Sequence, residues 1–220
     1  MKKIEIVLFD MDGIILDTEA VCRRTWSSAG TEYRMPEWEE SFNACIGCNK
    51  NDTRLFLEKK YGGDFPVSEF MQRTSALFHQ IEKNEGLPLM KGVIASLEYL
   101  QQEKYRIALA SSTRRPVVER QLKRAGVFDY FETITTGDLV EHSKPAPDIY
   151  LLACESLSAA PENCAAVEDS PNGILSACSA GLKCIMVPDQ VRPDPRIKAL
   201  LWGCLESLEQ LPDFLKSNNR

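Results

Sequence analysis

Two aspartates one residue apart close an apolar run near the start of the chain, and a glycine follows them. The stretch reads Ile4-Glu5-Ile6-Val7-Leu8-Phe9, then Asp10-Met11-Asp12-Gly13. In an extended backbone, residues two apart face the same way, so both carboxylates can address one substrate atom. Carboxylates this close repel, and a cation or a shared proton relieves the repulsion. An aspartate at a strand end can bind Mg²⁺, attack an electrophile or move a proton. Gly13 permits a sharp turn and close approach of the backbone to a ligand. A surface turn with a helix cap at Asp17 or Thr18 is the bland alternative, but the preceding run has the character of a central strand.

Three further sites could share that chemistry. Glu168-Asp169 closes the apolar run Ala165-Ala166-Val167. If the two runs are neighbours, four acids converge, and hard oxygen ligands of this kind suit Mg²⁺. Alone, the pair reads equally well as acids at a helix N-terminus beside Ser170 and Pro171. Lys144 lies in Ser143-Lys144-Pro145-Ala146-Pro147-Asp148. Two prolines fix the backbone there, and Asp148 can cap a helix starting near Ile149. A rigid lysine beside acids can hold an attacking carboxylate and neutralise phosphate charge. Ser111 and Ser112 follow another β-type run, where hydroxyl and backbone N–H groups can bind phosphate oxygens. A plain helix cap is the alternative there.

The elements that must position these residues alternate. β-type runs at Arg106–Ala110, Thr133–Thr136, Cys164–Val167 and Lys183–Val187 are separated by helical patterns. One helical stripe is Val93, Ile94, Leu97 and Leu100; another is Val117, Val118, Leu122 and Ala125. Gly126 and Gly181 read as C-cap signals, and Ser170 with Pro171 as a helix start. The alternation predicts an α/β fold with a doubly wound, parallel, Rossmann-like sheet. Ligands of such sheets sit at the carboxyl ends of the strands, where the polar residues cluster. Residues 19–85 break the pattern and read as helices at Glu19–Ala29, Glu37–Asn43, Asn51–Tyr61 and Ser68–Lys83. The expected division is therefore a core of 1–17 plus 87–220 and an inserted helical-bundle cap of 18–86. Residues 216–220 read as a frayed tail.

Composition narrows the classes of function. The chain has 220 residues, 44% hydrophobic and 26% charged, enough for a sizeable core. A net charge of −6 argues against non-specific nucleic-acid binding. The run from Ile4 to Phe9 is too short for a leader, and no run is long enough to span a bilayer. The eight cysteines sit in apolar or small-residue settings and read as free thiols of a cytoplasmic protein. A monomer or weak dimer is expected.

Taken in order, four segments resemble the motifs of the haloacid dehalogenase-like superfamily. They are Asp10-Met11-Asp12-Gly13-Ile14-Ile15-Leu16-Asp17-Thr18-Glu19, then Ala110-Ser111-Ser112, then Lys144-Pro145-Ala146-Pro147-Asp148, then Glu168-Asp169-Ser170. The resemblance spans essentially the whole chain and is greatest to the helical-cap branch, which includes β-phosphoglucomutase and many small-molecule phosphatases. It implies that Asp10 is the nucleophile that forms an aspartyl-phosphate, and that Asp12 is general acid and then base. It implies Mg²⁺ held by Asp10, the main-chain carbonyl of Asp12 and Asp169, with Glu168 helping through water. Ser111, Ser112 and Lys144 would grip the phosphoryl group. The implied substrate is a small phosphorylated metabolite, a sugar phosphate or nucleotide monophosphate. A dehalogenase is disfavoured because Asp12 is present.

Residues 44–51 resemble the specificity loop of such caps. Gly47 would allow close approach, and Lys50 falls where the sugar-phosphate mutase has a phosphate-binding arginine. A lysine lacks the arginine's bidentate fork, so the mutase stands as the alternative reading. Cys45 and Cys48 form a C-x-x-C pattern without the βαβ context of a redox motif. Neither His79 nor His142 is needed by this chemistry, and Trp26, Phe42, Phe56 and Phe78 read as cap core. A phospho-acceptor signalling module is a third reading, but such modules are shorter and lack the helical insertion.

Overall fold

The computed structural model describes residues 3–46, 48, 50–189 and 191–219. It divides into two compact units, Met1–Asp17 with Pro88–Arg220, and Thr18–Leu87.

The smaller unit is helical: α1 Thr18–Glu32, α2 Trp38–Cys45, α3 Lys50–Tyr61 and α4 Val67–Glu85. Its core forms around Trp26, which meets Phe42 and Phe70 edge-on at centroid distances of 5.5 and 5.2 Å. Edge-to-face pairs of this kind add about 0.5–1.5 kcal/mol beyond the area they bury. The Tyr61 hydroxyl donates to the Pro36 carbonyl at 2.7 Å and lies 2.6 Å from Ser41 Oγ, tying α3 to α2 and the turn before it. Phe56 packs on this core. Phe78 instead lines a cavity of about 370 Å³ with Trp26, Phe42, Cys45, Lys50 and His79.

The larger unit carries six strands: β1 Ile6–Phe9, β2 Arg106–Ser111, β3 Thr133–Thr136, β4 Cys164–Glu168, β5 Lys183–Met186 and β6 Leu201–Cys204. Their order is β3-β2-β1-β4-β5-β6, and every adjacent pair is parallel. Helices α5 Val93–Gln102, α6 Arg115–Ala125, α7 Asp148–Ser156, α8 Pro171–Ser179, α9 Pro195–Lys198 and α10 Leu211–Asn218 complete the unit. Helices on both sides hide both sheet faces, which is why β1, and β4 up to Glu168, are continuous apolar runs, every residue buried. The chain runs outward from β1 to β2 and β3, then returns to β4 on the other side of β1. That reversal opens a crevice at the carboxyl ends of β1 and β4, the usual ligand position in such sheets.

Local signals explain most boundaries. Ser170 Oγ caps α8 by accepting from Gly173 N at 3.1 Å, with Pro171 in the first turn. Gly126 ends α6 with φ +72°. The apolar stripe of α5 is Val93, Leu97 and Leu100, and burying each such side chain contributes about 1.5–3 kcal/mol. Ile94, expected in that stripe, is 40% exposed. Its inward place is taken by Ser96, whose Oγ donates to the Leu208 carbonyl at 2.6 Å.

Three expectations are corrected. The edge strand β6 was not foreseen, because it is short, half-exposed and interrupted by Gly203. The chain end is not frayed at residue 219. Asn219 accepts from Ile4 N at 2.7 Å and donates to the Ile4 carbonyl at 2.7 Å and to Tyr105 Oη at 2.8 Å. Residue 220, part of that expectation, lies outside the described residues. Nor are all the cysteines free. Cys178 and Cys184 form a disulfide, because the last turn of α8 packs on β5 and brings their Cα atoms within 6.2 Å. Cys22, Cys45, Cys48, Cys154, Cys164 and Cys204 are free thiols.

Candidate active site

The site is built where β1 and β4 end side by side. Phe9 pairs with Val167, and Asp10 N donates to the Val167 carbonyl at 3.0 Å, so Asp10 begins level with Glu168. The chain then leaves the sheet. Gly13 has φ +79°, and a Cβ there would lie 2.6 Å from Asp169 Oδ2. A glycine is needed for both the turn and the proximity. Asp10, Glu168 and Asp169 each offer a carboxylate oxygen, and the three oxygens lie within 4.8 Å of one another.

Lys144 reaches into this group from the loop before α7. Its Nζ donates to Asp10 Oδ1 at 2.6 Å, to Glu168 Oε1 at 2.6 Å and to the Ala110 carbonyl at 3.0 Å. These three bonds use the full donor capacity of an ammonium. Burial by itself would lower the Lys144 pKa, but the charges of Asp10 and Glu168 outweigh it and raise it above the ordinary lysine range. The side chain is therefore a fixed cation. Burial raises Glu168 above the usual carboxyl range, although Lys144 opposes the shift. Burial, with the charges of Asp10 and Glu168, pushes Asp169 up to about 8.

Three carboxylates facing one ammonium leave two positive charges wanting when all are ionised. The all-oxygen donor set and this charge deficit both fit a hard divalent cation. The buried acid cluster is thus where a divalent cation would be held.

Asp12 does not join the three carboxylates. Its Oδ2 accepts from Thr113 Oγ1 at 3.1 Å. β1 ends at Phe9, so the alternation expected to bring all four acids together does not extend to Asp12. Ser111 is the last residue of β2, fully buried, with its Oγ accepting from Thr113 N at 3.1 Å. Ser112 beside it is exposed. Lys50 opens α3, exposed, in the helical unit. Gly47 lies outside the described residues. Asp148 does not cap α7: it is the helix's first residue, and its carboxylate meets His142 Nδ1 at 2.9 Å, which lowers its pKa.

Three residues at the site were not singled out from sequence. Tyr150 is fully buried on α7 and donates its hydroxyl to Glu168 Oε1 at 2.7 Å. Its sequence signal is only a polar-tipped aromatic on a buried helix face, six residues after Lys144. Thr113 continues the Ser111-Ser112 run, and a third hydroxyl there was a readable hint. Gly173 packs so closely that a Cβ would land on the Glu168 carboxylate.

Comparison with known proteins agrees with this arrangement. The chain is 35% identical over 193 residues to the provisionally named phosphatase YhcW of Bacillus subtilis, covering 86% of this chain and 85% of that one. It is 32% identical over 207 residues to hexitol phosphatase A of Escherichia coli K12, covering 93% and 91%. It is 31% identical over 182 residues to the phosphorylated carbohydrates phosphatase of Thermotoga maritima, covering 81% and 82%. Among solved structures, a provisionally named β-phosphoglucomutase of Thermotoga maritima superposes with a TM-score of 0.82 at 27% identity, covering 97% and 99%. The family model for haloacid dehalogenase-like hydrolases matches residues 7–187, from β1 through the end of β5 and every residue of the acid cluster. This chain belongs to the haloacid dehalogenase-like hydrolase family.

Proposed function

We propose that the chain is a Mg²⁺-dependent phosphatase that hydrolyses monoesters of small phosphorylated carbohydrates. The observation that carries the reading is the buried Asp10 carboxylate, pinned by Lys144 at 2.6 Å within a three-carboxylate cluster. Asp10 attacks phosphorus, and the bond to the leaving oxygen breaks as an aspartyl-phosphate forms. Asp12 gives its proton to the leaving alkoxide. Asp12 then takes a proton from water, which attacks the same phosphorus, frees inorganic phosphate and restores Asp10. Lys144 holds the Asp10 carboxylate and offsets phosphoryl charge as a fixed cation, while Ser111, with Ser112, holds phosphoryl oxygens. Thr113, through its hydrogen bond, orients the Asp12 carboxylate. Asp10, Asp169 and the main-chain carbonyl of Asp12 would hold Mg²⁺, with Glu168 in support. Bound there, the ion supplies charge neutralisation at the phosphoryl oxygens.

Two relatives are named for phosphorylated carbohydrates and for a hexitol phosphatase, which supports a sugar or polyol phosphate as substrate. The test is phosphate release from p-nitrophenyl phosphate and a panel of sugar, polyol and nucleotide monophosphates. Turnover should require Mg²⁺, stop with EDTA and vanish in Asp10→Asn. Full activity in Asp10→Asn, or activity indifferent to EDTA, refutes the mechanism. A mutase reading is favoured by one observation, the 0.82 superposition on the provisionally named β-phosphoglucomutase. It would use the same aspartyl-phosphate with a sugar hydroxyl replacing water, Lys50 of the helical unit being its candidate contact. Conversion of β-glucose 1-phosphate to glucose 6-phosphate without phosphate release would select it.

A further inference from the structure

Glu168 Oε1 accepts two side-chain hydrogen bonds. It takes one hydrogen bond from Lys144 Nζ at 2.6 Å and one from Tyr150 Oη at 2.7 Å, and its side chain is 1% exposed. Tyr150 touches the lysine as well, since Lys144 Nζ lies 5.1 Å from the centre of its ring. One aromatic side chain therefore supports both members of the pair, from its face and from its hydroxyl. Lys144 divides its bonds between two carboxylates that compete for it. Whichever is less well satisfied by other donors draws the ammonium toward itself.

We propose that Tyr150 is a positioning residue: by satisfying Glu168 Oε1, its hydroxyl leaves Lys144 shared with Asp10 and so fixes the attacking carboxylate. The inference rests on the reading of Asp10 as nucleophile, and extends it to a residue that touches neither substrate nor reacting atoms. Without the hydroxyl, Glu168 has a stronger claim on the ammonium. Lys144 then shifts off Asp10, and the three carboxylates lose their mutual spacing. Burial, then the charge of Glu168, holds the Tyr150 hydroxyl well above its ordinary pKa, so it remains a donor at physiological pH.

Tyr150→Phe keeps the ring and removes only the donor. Loss of an outer partner of a metal-binding carboxylate typically costs about 10–100-fold in metal affinity or activity. We expect kcat on p-nitrophenyl phosphate to fall by about tenfold or more with KM nearly unchanged. Mn²⁺ affinity, measured by calorimetry without substrate, should weaken by about tenfold. Both effects should nearly vanish when Tyr150→Phe is made in a Glu168→Gln background, because the hydroxyl acts through that carboxylate. A merely structural role would lower the melting temperature and leave kcat per folded molecule, Mn²⁺ affinity and additivity intact. Unchanged Mn²⁺ affinity in Tyr150→Phe, or an equal cost in both backgrounds, overturns the proposal. If Tyr150→Phe does not fold, recovery of folding by Glu168→Gln supports the coupling, and failure to recover overturns it. Absence of turnover in the wild type would count against the proposed reaction alone, since the Mn²⁺ measurement still decides the role of Tyr150.

Discussion

Replacing Lys144 by methionine tests whether one ammonium keeps the acid cluster compatible with a folded core. Methionine retains most of the side-chain volume and removes the charge. The Lys144 side chain is 9% exposed, and its partners Asp10 and Glu168 are 11% and 1% exposed. Removing one member of a buried ion pair costs about 3–5 kcal/mol, because the remaining charge is left uncompensated. For a chain of this size each kcal/mol moves the melting temperature by about 2–4 °C, so a fall of about 6–20 °C is expected. The assay is a thermal melt in EDTA, followed by circular dichroism from pH 5 to pH 8.

The pH dependence has a definite sign. Asp169 titrates at about 8 in the folded metal-free protein and Glu168 also lies above its ordinary value, whereas unfolded carboxyls titrate near 4. Between about pH 4 and pH 8 the native state holds protons that the unfolded state has released, so metal-free stability falls as pH rises. Lys144 is raised in the folded state, so its own contribution is fully present below about pH 10 and does not vary across this range. Without it the carboxyls shift further up, and the deficit of Lys144→Met should be smaller at pH 5 than at pH 8. A melting temperature within about 2 °C of wild type at pH 8, or a deficit that grows toward pH 5, refutes the reasoning.

Other perturbations act on the same framework. Mg²⁺ at about a hundred times its Kd should stabilise the fold by about 2.7 kcal/mol, read as a rise of about 5–11 °C in the melt; Asp169→Ala should lose that rise. Gly173→Ala drives a methyl into the Glu168 carboxylate, so overpacking of about 1–3 kcal/mol should appear in the melt together with weaker Mn²⁺ binding by calorimetry. Asn219→Ala removes three hydrogen bonds to Ile4 and Tyr105, and should cost about 1–3 kcal/mol in urea unfolding with kcat unchanged.

What could be read from the chain follows from what a parallel sheet demands. Strands covered on both faces are unbroken apolar runs, so the residues that end them stand out: Asp10, Ser111, and Glu168 with Asp169. All four lie at the carboxyl ends of strands in the structure, and the helical insertion was legible from the missing β pattern. The partners of those residues were not legible, because they are set by packing between distant elements. Nothing in the spacing of Tyr150 tells that its hydroxyl, rather than its ring alone, is what α7 brings to β4. Nor does any pattern link Asn219 to Ile4, which are 215 positions apart. Asp12 stands apart from the three-carboxylate group for a local reason. β1 ends at Phe9, and Asp12, beyond it, accepts from Thr113 Oγ1.

Asp10 and Asp12 stand in different surroundings, which suits the separate roles proposed for them. Had the strand continued, both side chains would face the same charge cluster, and neither could carry a proton independently of the other. The reversal of strand order at β1 brings Asp10 against β4 and Lys144. The early turn leaves Asp12 against β2's loop, beside a hydroxyl donor and outside the reach of the ammonium's three bonds. Under the proposed mechanism, the nucleophile Asp10 follows directly on the end of β1 and the proton carrier Asp12 lies beyond it, against Thr113. Extending β1 by two residues would test this more directly than replacing either acid. Gly13→Val, which disfavours the turn and crowds Asp169, should impair metal binding and proton transfer together.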